Sequence, residues 1–224
     1  MKKFFILALA SVILYSCNFF GKKEPRAVDD DTANIDLSEI HDSLKVKTDS
    51  VTILHVNKDS VLMDLTKNIL SVFKSQQYSK LDSFIHPTEG VRFSPYATIG
   101  PADKKFSKEG FSAMVTNGKN KKLNWGSYDG SGDPILLTPN EYFKKFVYDA
   151  NFLRPEKAGV NHIYKQGNSI NNLKSFYKSS DFTESHFSGS KKMDGMDWKS
   201  VRLVFKEVNG KYYLVGVVHD QWTI

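Results

Sequence analysis

The chain has 224 residues, with 31 Lys+Arg against 25 Asp+Glu and a formal net charge of +6. That excess is small and its basic residues are scattered, which argues against a nucleic-acid partner. Its single cysteine excludes an intramolecular disulfide, and the length fits one domain plus a tether.

Lys2 and Lys3 precede an apolar and small-residue run from Phe4 to Leu14. A bilayer-spanning helix needs about 20 apolar residues, so this run is too short. A short apolar core behind a basic start is the pattern of a secretory signal. The run ends in Leu14-Tyr15-Ser16-Cys17, which resembles the lipobox of bacterial lipoproteins, with Tyr15 bulkier than the usual residue. The resemblance implies that residues 1–16 are a cleaved signal peptide. It implies that Cys17 carries a diacylglyceryl group and an amide-linked acyl chain. One acyl chain binds a membrane marginally, whereas two or more anchor it stably. An unmodified lone thiol would be a liability in an oxidising compartment, and lipidation accounts for it. Asn18, not aspartate, follows Cys17. Under a sorting rule familiar from some Gram-negative envelopes, that resemblance points to the outer membrane. Without Lys2 and Lys3 the net charge falls to +4.

Residues 17–50 read as a lipidated tether. Lys22 to Arg26 and Asp29 to Asp31 are charged and lack apolar periodicity. Such a segment buries too little surface to offset its ordering entropy. Flexible-coil scaling gives it a reach of roughly 30 Å. Leu37, Ile40 and Leu44 are spaced for a short helical stretch. Lys22, Lys23 and Arg26 are either solvated or set against headgroups.

A globular domain is expected over 51–224. Ser60 can cap a helix with Leu62, Leu65, Ile69, Val72 and Phe73 on one face. A second short helix carries Tyr78, Leu81, Phe84 and Ile85 and stops at Pro87. Gly90 to Tyr96 reads as a strand interrupted at Pro95. Residues 101–122 read as a loop with a short helix near 107–115. Strands at 125–128 and 135–137 flank the turn Asp129-Gly130-Ser131-Gly132-Asp133. Thr138-Pro139-Asn140-Glu141 is a helix start with a capping box, followed by buried Tyr142, Phe143, Phe146 and Val147.

The last third reads as strands, with Phe182 to Phe187 alternating. Asn209-Gly210 between Val201–Glu207 and Lys211–Val218 signals a type I′ hairpin. Its two-residue loop sets Val208 against Lys211, Phe205 against Leu214 and Arg202 against Val217. The core face then carries Val201, Leu203, Phe205, Tyr212, Leu214 and Val218. The other face carries Arg202, Val204, Lys206, Tyr213, Val215, Val217 and His219. That mixed face can be solvated, line a cavity or form a dimer surface.

The expected fold class is α+β, with N-terminal helices packed on a curved antiparallel sheet. The paired helices over 60–86 and the hairpin Val201–Val218 resemble the cone-shaped nuclear transport factor 2-like fold, with a cystatin-like sheet as the competitor. Arg92 to Tyr96, Trp125 to Gly132, Asp197 to Ser200 with Arg202 to Phe205, and His219 to Ile224 resemble a group of uncharacterised bacterial lipoproteins. This second resemblance implies a shared fold and address and implies no activity.

Glu184 and His186 lie two apart on a strand and so share a face. His219 and Asp220 lie on the last strand. A carboxylate beside an imidazole can do acid–base chemistry, or the same groups can hydrogen-bond within the sheet. Arg202, Tyr213 and Trp222 are candidate pocket residues. Trp222 and Ile224 are expected to pack on the domain, near Trp125 or Trp198, since exposing them is unfavourable. Asp129 and Asp133 supply too few oxygens for calcium, and a turn role is favoured. No metal ligand set, cofactor motif, serine elbow or phosphate loop is present. The expected partners are the membrane, through the lipid, and a small ligand or an envelope protein. The competing readings are a binding module, a small Glu/His enzyme and a structural dimer.

Overall fold

The computed structural model describes residues 57–223. The leader, Cys17, the tether, the domain start at 51 and Ile224 lie outside the described residues. Helix α1 spans Lys58–Ser75. Its cap is Asn57, whose side chain accepts the Asp59 N–H at 2.9 Å, so Ser60 is inside the first turn and not the cap. Leu62, Ile69, Val72 and Phe73 are buried at the expected three-and-four spacing. A 3-10 helix follows at Tyr78–Ser83.

Strand β1 (Val91–Ser94) pairs with β2 (Lys104–Phe106), a strand inside the segment expected to be loop. Helix α2 (Lys108–Thr116) is capped by Ser107. Strands β3 (Leu123–Ser127) and β4 (Pro134–Leu137) form a separate antiparallel pair. Asp129 to Asp133 make the turn between them, with Tyr128 N–H donating to Asp133 O at 2.8 Å. Helix α3 (Pro139–Phe146) opens with the expected capping box of Thr138 and Glu141. Strand β5 (Lys157–Val160) and the short helix α4 (Leu173–Phe176) carry no clear periodic signal. Then come β6 (Asp181–Phe187), β7 (Lys199–Val208) and β8 (Lys211–Gln221).

The fold is α+β. The main sheet has the order β2-β1-β8-β7-β6-β5. Its pairs are antiparallel except β1 with β8, which is parallel, so the sheet is mixed. This arrangement is compatible with a cone-like α+β fold. The helices and the β3–β4 pair supply the main core on one face. Phe93 is its centre, with the rings of Phe106, Phe111, Trp125, Tyr142 and Phe143 at 5.3–6.2 Å. Trp125 stacks on Tyr142 at 4.0 Å and donates its indole N–H to Leu137 O.

The opposite face is also buried. Ile99, Leu173, Phe182, Val204, Val215 and Val218 form a second cluster there. Residues 161–177 cross this face as a strap. In β6 every residue from Phe182 to His186 is buried, so alternating polarity does not produce alternating exposure. The mixed hairpin face is therefore neither solvated nor a free dimer surface.

The hairpin register holds near the turn and then shifts. Val208 pairs with Lys211 and Phe205 with Leu214, but Val204 pairs with Gly216. Val215 is thus an extra residue on β8, a bulge. Arg202 faces Val218, not Val217. Val217 and His219 turn to the main core side, while Val218 and Asp220 turn to the strap side.

Phe93→Ala is expected to destabilise the domain by about 3–5 kcal/mol, because a ring at the core centre leaves a cavity. Thr138→Ala is expected to cost only about 1 kcal/mol, the value of one cap. Urea denaturation of the full chain checks the difference, and equal losses would contradict this account of the core.

Candidate functional site

Cross-strand pairing gathers most of the candidate residues on the strap side. Glu184 pairs with Arg202, and His186 pairs with Ser200, which pairs with Asp220 on its other side. Directly opposed residues share a face, so these five side chains converge. Arg202 is fully buried and binds both carboxylates. Its Nε donates to Glu184 Oε2 at 2.8 Å and its Nη1 to Asp220 Oδ2 at 2.8 Å. Nη2 donates to the strap at Lys165 O, 3.1 Å away.

Ser200 extends the network. Its hydroxyl donates to Glu184 Oε1 at 2.7 Å. His186 Nδ1 lies 2.8 Å from the same hydroxyl oxygen. Since that hydroxyl already donates, Nδ1 carries the proton and donates to it. Burial lowers the His186 pKa, against the pull of Glu184. Burial raises the Asp220 carboxyl, and the nearby Arg202 charge only partly offsets it. Tyr164 stacks on His186 at 5.9 Å, and Lys165 lies over Trp198 at 5.4 Å. The strap is thereby tied over the charges.

His219 does not join this group. The bulge places it on the core side, 5.8 Å from the Phe146 ring. There its Nδ1 lies 3.3 Å from Pro95 O and its Nε2 3.3 Å from Asp149 Oδ1. Lys199 also pairs with Asp149. Burial pushes the Asp149 carboxyl up, but His219 and Lys199 together outweigh it and leave it below the usual range. Asp149, Lys199 and Ser200 were not foreseen as members of either group. Only the three-dimensional pairing reveals them, since Asp149 follows a helix far from both strands in sequence.

Arg202, Tyr213 and Trp222 do not form one pocket. Tyr213 sits at the turn end of the hairpin with its ring 6.0 Å from His86. Trp222 is 40 % exposed and does not pack into the domain as expected, whereas Trp125 and Trp198 are buried. Among the described residues, no group of three or more His, Cys, Asp or Glu side chains could hold a metal ion.

The chemistry open to the main network is limited by its burial. Glu184 and Arg202 are 0 % exposed, and Asp220 and His186 are each 2 % exposed. A buried charge cluster held this way organises strands and strap, with no acid or base presented to solvent.

Arg202→Met is expected to destabilise the domain by about 3–5 kcal/mol, because it leaves two buried carboxylates without their partner. Adding Asp220→Leu should recover part of that loss, and a double variant as unstable as the single one would count against the pairing. Acidification supplies a second check. His186 and His86 both have pKa values lowered by burial. As pH falls through about 6.5 the unfolded chain takes up protons first, so folded-state stability drops. Raised Asp220 acts with the opposite sign, since its folded form holds a proton longer as pH rises out of the carboxylate range. The melting temperature should fall between pH 7.5 and 5.5, less steeply in a His86→Gln/His186→Gln variant.

Comparison with known proteins yields distant likeness in structure. No family model and no curated protein matches the chain. Among solved structures it is similar to a DUF4783 family protein from Bacteroides ovatus, at 13% identity and a TM-score of 0.30, covering 70% of this chain and 94% of that one.

Proposed function

We propose that the chain is a lipid-anchored lipoprotein of the bacterial envelope whose domain acts as a binding module, not as a catalyst. The leader and the lipobox ending at Cys17 support the anchor. Asn18 supports the outer membrane. The helical start, the mixed sheet and the terminal hairpin support a nuclear transport factor 2-like reading of the domain.

One observation carries the choice of binding over catalysis. The Glu184–Arg202–Asp220–His186 constellation is buried and satisfied by its own members and the strap. An active-site acid or base has to reach substrate, whereas these groups reach each other. The domain then works through its outer surface, held near the bilayer by the tether.

In cells fed an alkyne analogue of palmitate, the wild-type chain should take up label and sediment with membranes. Cys17→Ser should lose both properties. Label retained in Cys17→Ser would overturn the anchor. A turnover abolished by both Glu184→Gln and Asp220→Asn in chains that remain folded would overturn the binding reading.

A further inference from the structure

We propose that a cleft at the β1–β2 end of the main sheet binds a small molecule carrying a carboxylate or phosphate on an apolar body. The inference rests on the domain being a binding module and names the class of its ligand. The cleft has a volume of about 210 Å³ and is lined by Glu89, Arg92, Lys105, Phe176, Tyr177 and Val215. Ligand sites for larger molecules run from roughly 300 Å³ upward, so this one suits a single ring or a short chain.

Arg92 and Lys105 stand directly opposite each other across β1 and β2. Like charges in that position repel and destabilise the pair unless an anion lies between them. Among the described residues, neither forms an ion pair with a carboxylate. Arg92 is held in place by its Nη1 alone, which donates to Gly100 O at 2.9 Å and Asp103 O at 3.0 Å. Among the described residues, its Nε and Nη2 donate to no acceptor. The guanidinium lies 5.4 Å from the centre of the Phe176 ring, which is 43 % exposed. A guanidinium fixed on an aromatic face with these two donors turned to no protein group is a fork for an oxyanion such as a carboxylate or phosphate.

Glu89 does not cancel this charge. It pairs with Lys206, whose hydrogen bond holds the Glu89 carboxyl below its usual range. Asp103 acts on Arg92 and Glu89 on Lys105 at longer range, but among the described residues neither cation is in ion-pair contact at the cleft. Its apolar wall depends on a glycine. Gly216 sits opposite Arg92 on β8, and a Cβ there would lie 2.6 Å from the Tyr177 hydroxyl. Without that Cβ, Tyr177 lies against the strand beside Val215, its hydroxyl donating to Val215 O at 3.4 Å.

Isothermal titration of the purified full chain with benzoate, phenyl phosphate and neutral benzamide tests the site. Either anion should bind saturably, with a Kd on the order of a millimolar for a ligand of about ten heavy atoms. Benzamide should bind at least about tenfold more weakly. Lys105→Ala, an exposed change that leaves the fold alone, should weaken anion binding about fivefold. Arg92→Lys keeps the charge but loses the fork, and should weaken it about tenfold. Benzamide binding as tightly as the anions, or anion affinity unchanged in both variants, would overturn the proposal. So would no saturable binding of either anion. In that last case, palmitate label at Cys17 and a lack of turnover would still leave the binding-module reading standing.

Discussion

A fully buried guanidinium is the constraint around which the rest of this domain is arranged. Arg202 lies in the middle of β7, out of reach of water, and such a charge is tolerable only when paired and hydrogen-bonded. Glu184 from β6 and Asp220 from β8 supply the pairing, so the three central strands must keep one register. Lys165 supplies a carbonyl from the strap, so the strap must lie across the sheet. One side chain thereby links strand alignment to the covering of a whole face. Hydrophobic burial alone would drive both events without specifying either so narrowly.

Much of this arrangement was legible in the sequence because it depends on local signals. The capping box at Thr138 and Glu141, the Asn209-Gly210 turn and the apolar stripe of α1 each act over a few residues, and each appears where expected. The hairpin register was legible only as far as the bulge. The one local sign of it is Gly216 beside Val215, since an isolated glycine in a strand marks either a bulge or a close backbone approach without saying which. The cost of missing it was a swap of faces that misplaced His219. Glu184 and His186 could be put together by counting in twos. Their partners Arg202, Ser200 and Asp220 required knowing that the mixed face is covered, and the covering strap has no periodicity to read.

The consequence for function follows from where the polar groups end up. Acid–base side chains scattered over two strands suggest a reactive cavity when only their types are known. In the folded chain the core on one face of the sheet is filled by Phe93, Trp125, Tyr142 and their neighbours, and the charged groups are enclosed on the other face. Burial closes this cluster to solvent and fixes the strands and strap that hold it. What remains available to a partner lies at the periphery, on a scaffold whose two buried faces keep peripheral groups such as Arg92 in fixed positions.

The placement of β8 also sets an order of events during synthesis. This strand lies between β1 and β7, so β1 and β2, made early, join the rest of the sheet only through residues made more than a hundred positions later. Pairings so distant along the chain form slowly, because loop closure precedes any gain from contact. Until β8 docks, the sheet is split between β1 and β7 and Arg202 has the Glu184 carboxylate but not that of Asp220. The two halves of the sheet are therefore joined only when that docking takes place.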